Sequence, residues 1–165
     1  MARSDRKKAD GDKPDAFAKG LGLLVRREHS ARELKAKLAA RGHAAGDVGA
    51  AVDRLKDKRY QSDERFAAVL ARSRAGQGYG PRRIELELKS HGLAAPAIRA
   101  AIDATECDWL ASAASQLRRR FGHVAAADTT ERARRAQFLL RRGFDPATVR
   151  AVTRAEVDDQ ADEFD

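Results

Sequence analysis

Cysteine is nearly missing from this sequence: Cys107 stands alone. A single thiol excludes an intrachain disulfide and a cysteine-based zinc site, and it fits a reducing compartment, so a cytosolic protein is expected. Large rings are scarce too, at 5% of residues. β-branched residues are few and never alternate for long, which argues against sheets. No apolar run approaches the roughly 18 residues that a membrane span requires, so no membrane partner is expected. The first fifteen residues, MARSDRKKADGDKPD, hold no apolar segment and read as a disordered polar tail.

What the sequence does have is helix-forming material. Alanine leads the helix propensities, followed by leucine, arginine, lysine and glutamate, and 35% of residues are charged. A chain of 165 residues suffices for one domain or a short array of small units. The net charge of +8 hides an asymmetry: residues 156–165 carry six acids and no Lys or Arg, so residues 1–155 carry +14. A body that basic attracts polyanions or an acidic protein, and the acidic end screens it or competes for it.

Taken in order, the apolar periodicity predicts nine helices. The first covers about residues 16–28 with Leu21, Leu24 and Val25, and a turn follows at His29-Ser30. Ser30-Ala31-Arg32-Glu33 has the form of a capping box. Leu34 and Leu38 give the second helix its apolar face, and the third carries Val48, Ala51, Val52 and Leu55. Ser62 reads as the N-cap of a fourth, with Phe66, Val69 and Leu70 inward. The fifth runs from Pro81 to a stop at Gly92 through Ile84 and Leu88, and the sixth holds Ile98, Ala101 and Ile102. The seventh opens near Asp108 with Trp109, Ala113 and Leu117, the eighth at a second capping box, Asp128 to Glu131, and the ninth at Asp145-Pro146.

The stop glycines Gly42, Gly92 and Gly143 lie 50 and 51 residues apart, each with a leucine four before it (Leu38, Leu88, Leu139) and a β-branched residue six after it (Val48, Ile98, Val149). This is an internal repeat. The architecture expected is all-α, a tandem array of three three-helix repeats forming an elongated, curved body. Its parts are a polar tail at 1–15, repeats at 16–61, 62–107 and 108–155, and an acidic tail at 156–165. In the third repeat Arg135 occupies the place of Leu34 and Ile84, so that helix is expected to pack through a shifted stripe.

Catalytic patterns are lacking. Gly76-x-Gly78-x-Gly80 resembles a phosphate loop, but Pro81 stands where the next fingerprint glycine belongs and no Gly-Lys-Ser/Thr follows. His29, His43, His91 and His123 have no i, i+4 partner among themselves, and Glu85 and Glu87 point to different helix faces. Neither an enzyme nor a cofactor or metal is expected. Arginines cluster instead, at Arg72, Arg74, Arg82 and Arg83, at Arg118, Arg119 and Arg120, and at Arg132, Arg134, Arg135, Arg141 and Arg142. Guanidinium groups fork onto carboxylates or phosphates, so these positions, Arg132 excepted, form with Tyr79 the candidate partner-binding set. A solvated outer face is the plainer reading of about half of these arginines. Tyr79 either stacks on a partner or anchors its loop.

The sequence resembles the RecX family, regulators of the RecA recombinase. The likeness is carried by Asp63-Glu64-Arg65-Phe66-Ala67, Arg72-Ser73-Arg74, Gly78-Tyr79-Gly80-Pro81-Arg82-Arg83-Ile84 with Glu87-Leu88 and Gly92, Asp108-Trp109, Arg119-Arg120-Phe121-Gly122 and Phe138-Leu139-Leu140-Arg141-Arg142-Gly143-Phe144. It spans about residues 20–155. The resemblance implies three helical repeats that bind in the groove of the RecA–DNA filament and inhibit strand exchange, ATP hydrolysis and coprotease activity, modulating DNA repair and the SOS response. It brings no catalytic residues, and a monomer is expected. The competing reading is a direct binder of single- or double-stranded DNA, because three-helix units with a basic helix also describe helix-turn-helix modules. No helix here offers a cluster for reading base edges, so such binding would be sequence-blind.

Overall fold

The structure, a computed structural model, describes residues 15–161 apart from 125, with side chains through 154. The polar tail before Asp15 and the last acidic residues, 162–165, lie outside the described residues. Nine helices and no strand are present among those described: α1 (Ala16–Leu24), α2 (Ala31–Ala39), α3 (Ala45–Asp57), α4 (Asp63–Gly76), α5 (Pro81–Ser90), α6 (Ala95–Asp103), α7 (Trp109–Phe121), α8 (Thr129–Arg141) and α9 (Pro146–Ala161). The all-α tandem repeat is therefore the observed fold. Helices pack within successive triplets, α1 to α3, α4 to α6 and α7 to α9. The chain divides into two compact units between Ser62 and Asp63, the first holding one triplet and the second holding two.

The helix punctuation follows local chemistry. Asp15, Asp108 and Asp128 cap α1, α7 and α8 by accepting from amides of the first turn, and Ser30 caps α2 by accepting from Glu33 N. In the second capping box Glu131 reaches back to the amide of Ala127. The middle helix of every triplet ends alike. Gly42, Gly92 and Gly143 adopt φ of +83°, +83° and +87°, and the next residue returns its amide to the leucine four before the glycine. These bonds are His43 to Leu38 at 3.4 Å, Leu93 to Leu88 at 3.4 Å and Phe144 to Leu139 at 3.2 Å. That is the Schellman closure, which a residue with a Cβ resists because its φ is left-handed. The three leucines are fully buried, so one residue both closes the turn and fills the core.

Each triplet has its own core. Leu34, Leu38, Val48, Val52 and Leu55 fill the first, Phe66, Ala67, Ile84, Leu88 and Ile98 the second, and Leu117, Leu139, Phe144 and Val149 the third. Two expectations change. Val25 falls just past the end of α1 and is exposed, and Val69 is 48% exposed, because α4 turns Phe66 and the small Ala67 and Ala71 inward. In addition, α9 continues as helix into the acidic stretch as far as Ala161.

The third repeat does not shift its stripe. Arg135 sits in register with Leu34 and Ile84 and is only 2% exposed. A charge is tolerated there because the guanidinium lies 5.3 Å over the Phe121 ring and donates to Glu131 at 2.9 Å, while its aliphatic stem fills the apolar position. The hydrogen bond from Arg135, helped by the Ala127 amide, holds the Glu131 carboxyl below the ordinary carboxylate range.

The second and third triplets meet through their loops. The Gly80 amide donates to the Arg142 carbonyl at 2.8 Å and the Arg82 amide to the Gly143 carbonyl at 3.0 Å. A Cβ on Gly80 would fall 2.3 Å from the Gly143 carbonyl oxygen, and one on Gly143 would fall 2.5 Å from the Arg83 backbone nitrogen. Only two glycines allow this approach.

Arg135 gives a direct test of the core register. Methionine keeps an unbranched apolar stem in the core register and leaves Glu131, whose side chain is partly exposed, to water, whereas truncation opens a cavity. Arg135→Met should melt no lower than wild type and Arg135→Ala several degrees lower. Equal melting of Ala and Met variants would show the side chain does not pack as described.

Candidate partner-binding surface

The site is built around Tyr79, in the loop between α4 and α5. Gly78 turns this loop with φ +76° and packs flat against Gln116 of α7, where a Cβ would lie 2.1 Å from the amide nitrogen. Gly80 then meets Gly143. The last two glycines of the run are thus a packing device between repeats, while a Cβ on Gly76 would meet open space.

Arg142 fixes the loop from the other side. Its Nε donates to the Gly78 carbonyl at 2.9 Å and its Nη2 to the Gln77 carbonyl at 2.7 Å. The same guanidinium lies 4.9 Å over the Tyr79 ring and 5.5 Å over Phe138, and Arg83 lies 5.0 Å over Tyr79. Phe138 meets Phe121 edge-on at 5.6 Å, and Arg120 and Arg135 both sit over Phe121. The result is a continuous ladder of rings and guanidinium groups crossing from the second repeat into the third. Tyr79 is half-buried, sandwiched by arginines, and lines an open cleft with Arg74, Arg83 and Leu86.

The remaining candidates separate by surroundings. Arg74 forks onto Glu87, Nε to Oε2 at 2.8 Å and Nη2 to Oε1 at 2.6 Å, and Arg82 pairs with Asp145 at 2.6 Å. The hydrogen bond from Arg74 pulls the Glu87 carboxyl below its ordinary value, against burial that pushes it up. Arg135 is inside the core. Arg72, Arg83, Arg118, Arg119, Arg120, Arg134 and Arg141 are exposed and form no ion pair among the described residues. Sequence reading missed Phe121, Phe138, Gln116 and Asp145. The usable signal was the i, i+4 spacing of Phe138 with Arg142 at the end of α8.

Burial pushes the Cys107 thiol up, the opposite of an activated nucleophile. Among the described residues no three His, Cys, Asp or Glu side chains gather as metal ligands. No described helix is long and apolar enough to cross a membrane.

The fold defines the class: an all-helical tandem-repeat protein with arginines arrayed on its surface. The profiles of the first, second and third three-helix domains of RecX match residues 16–55, 62–102 and 106–153 in order. The chain belongs to the RecX family. It is 50% identical over 141 residues to the regulatory protein RecX of Xanthomonas axonopodis pv. citri (strain 306), covering 86% of this chain and 87% of that one. Against RecX of Stenotrophomonas maltophilia (strain K279a) it is 48% identical over 141 residues, covering 86% of each. A crystal structure of RecX from Lactobacillus salivarius shares the fold, with a TM-score of 0.66 at 18% identity over 86% of this chain and 97% of that one.

The Arg74–Glu87 pair has a pH signature. A depressed carboxyl stabilises the folded form above the unfolded value of about 4.5 and loses that contribution as pH falls through its lower folded value. Melting temperature should therefore drop below pH ~4.5 less steeply in Glu87→Gln than in wild type, with the variant lower at neutral pH. Parallel curves would show the pair contributes nothing.

Proposed function

We propose that this protein binds the RecA–DNA filament in its groove and inhibits recombinase, ATPase and coprotease activities, modulating DNA repair and the SOS response in the cytoplasm. One observation carries the reading: all three RecX domains match in order along a chain that folds as three helical triplets. The exposed arginines supply the contact chemistry. Guanidinium groups bridge to carboxylates on filament subunits or to phosphates on the DNA, so subunits are held against motion or exchange. The proposed contact set is Arg72, Arg83, Arg118, Arg119, Arg120, Arg134 and Arg141, with Tyr79, Arg74, Arg82, Arg135 and Arg142 ordering the surface from beneath. The protein acts as a monomer.

A second reading, sequence-blind binding to free DNA, is favoured by the consecutive exposed arginines at the end of α7. The DNA-dependent ATPase of cognate RecA separates the two. Inhibition is expected well below the amount that coats the DNA, and it should weaken as salt rises, because charged contacts are screened. Inhibition that begins only when free DNA is saturated would favour the plain DNA binder. Potency unchanged by salt would contradict the charge-led contact.

A further inference from the structure

We propose that the cleft beside Tyr79 is the docking site for a protein segment in which a carboxylate side chain neighbours an apolar one, displayed on the RecA filament; this rests on the reading above. The cleft is lined by Arg74, Gln77, Tyr79, Arg83, Leu86 and Glu87. Its apolar element is Leu86, 67% exposed on α5. The fold has no use for a leucine there: in the other two repeats the same register holds Ala36 and Gln137.

The charge balance of the cleft calls for an anion. Arg74 is neutralised by Glu87. Arg83 stacks on the Tyr79 ring and hydrogen-bonds to no carboxylate among the described residues, and Glu87, already forked by Arg74, is the one acid lining the cleft against the two guanidinium groups, so one positive charge is left over. Arg83 is already held by the ring, so a carboxylate arriving there need not immobilise a free side chain. A protein segment is favoured over a nucleic-acid backbone because the exposed Leu86 offers a phosphodiester nothing, while an apolar side chain covers it. A segment with a leucine- or phenylalanine-sized side chain covers Leu86 and Tyr79 and sets its acid on Arg83.

Leu86→Ser and Arg83→Gln, each in the full chain, test this against cognate RecA–DNA filaments and against the same DNA without RecA. Because both side chains are exposed, circular dichroism and melting should match wild type. Each variant is expected to bind filaments roughly tenfold more weakly, the scale of an interface anchor, with Leu86→Ser binding free DNA as wild type does. Filament affinity unchanged in both would overturn the docking site while leaving RecA binding intact. Equal losses on filaments and on free DNA would overturn the protein-segment assignment in favour of a nucleic-acid surface. Failure of the wild-type protein to bind filaments at all is a different pattern, which would overturn the RecA reading and the partner named here with it.

Discussion

The contact between Gly80 and Gly143 is the constraint on which the second unit depends. A helix start leaves amides without partners and a helix end leaves carbonyls without partners. Here the end of α8 supplies the carbonyls of Arg142 and Gly143 to the amides of Gly80 and Arg82 at the start of α5. Each end satisfies the other, and their partial charges are of opposite sign. The approach is too close for any side chain, which is why neither glycine has room for a substitute. Two triplets whose cores share Trp109 at their edges are thereby joined backbone to backbone, and the side chains of Arg142 and Arg82 add bonds across the same junction.

The arginine ladder follows from that junction. With the loops in register, Arg142 reaches across to the carbonyls of Gln77 and Gly78 and brings its guanidinium over Tyr79. Tyr79 orders Arg83 in turn. Long cationic side chains lose rotamer freedom when they bind, and prior stacking lowers that loss at the moment of association. Arginine suits the arrangement better than lysine, since its planar group stacks on a ring while its N–H edge stays available. A regulator acting through surface charge gains from such ordering without needing a catalytic pocket.

Much of the fold was legible because its determinants are local. A left-handed stop glycine, a leucine four residues earlier and a cap at the next helix all act within one turn, so their repetition at Gly42, Gly92 and Gly143 can be read directly from the chain. Arg135 shows where that reading fails. Hydrophobicity alone argues against a guanidinium in a core register, but Phe121 and Glu131 accept it there, and one of these lies on another helix. The same holds for the surface: arginine counts marked a basic region, yet which groups are paired, buried or free depends on Glu87, Asp145 and Tyr79, and only folding brings most of these together. Gly78 and Gly80 carried a real constraint whose meaning was packing against Gln116 and Gly143, residues far along the sequence.

The central claim is that the two triplets of the second unit are joined by backbone hydrogen bonds across paired glycines. Amide hydrogen exchange at Gly80 and Arg82 measures this most directly, since both lie at the start of a helix where amides otherwise face water. Protection comparable to the buried interior of α5 is the result this account predicts. Exchange at the rate of an open loop, with α5 and α8 still protected, would contradict it.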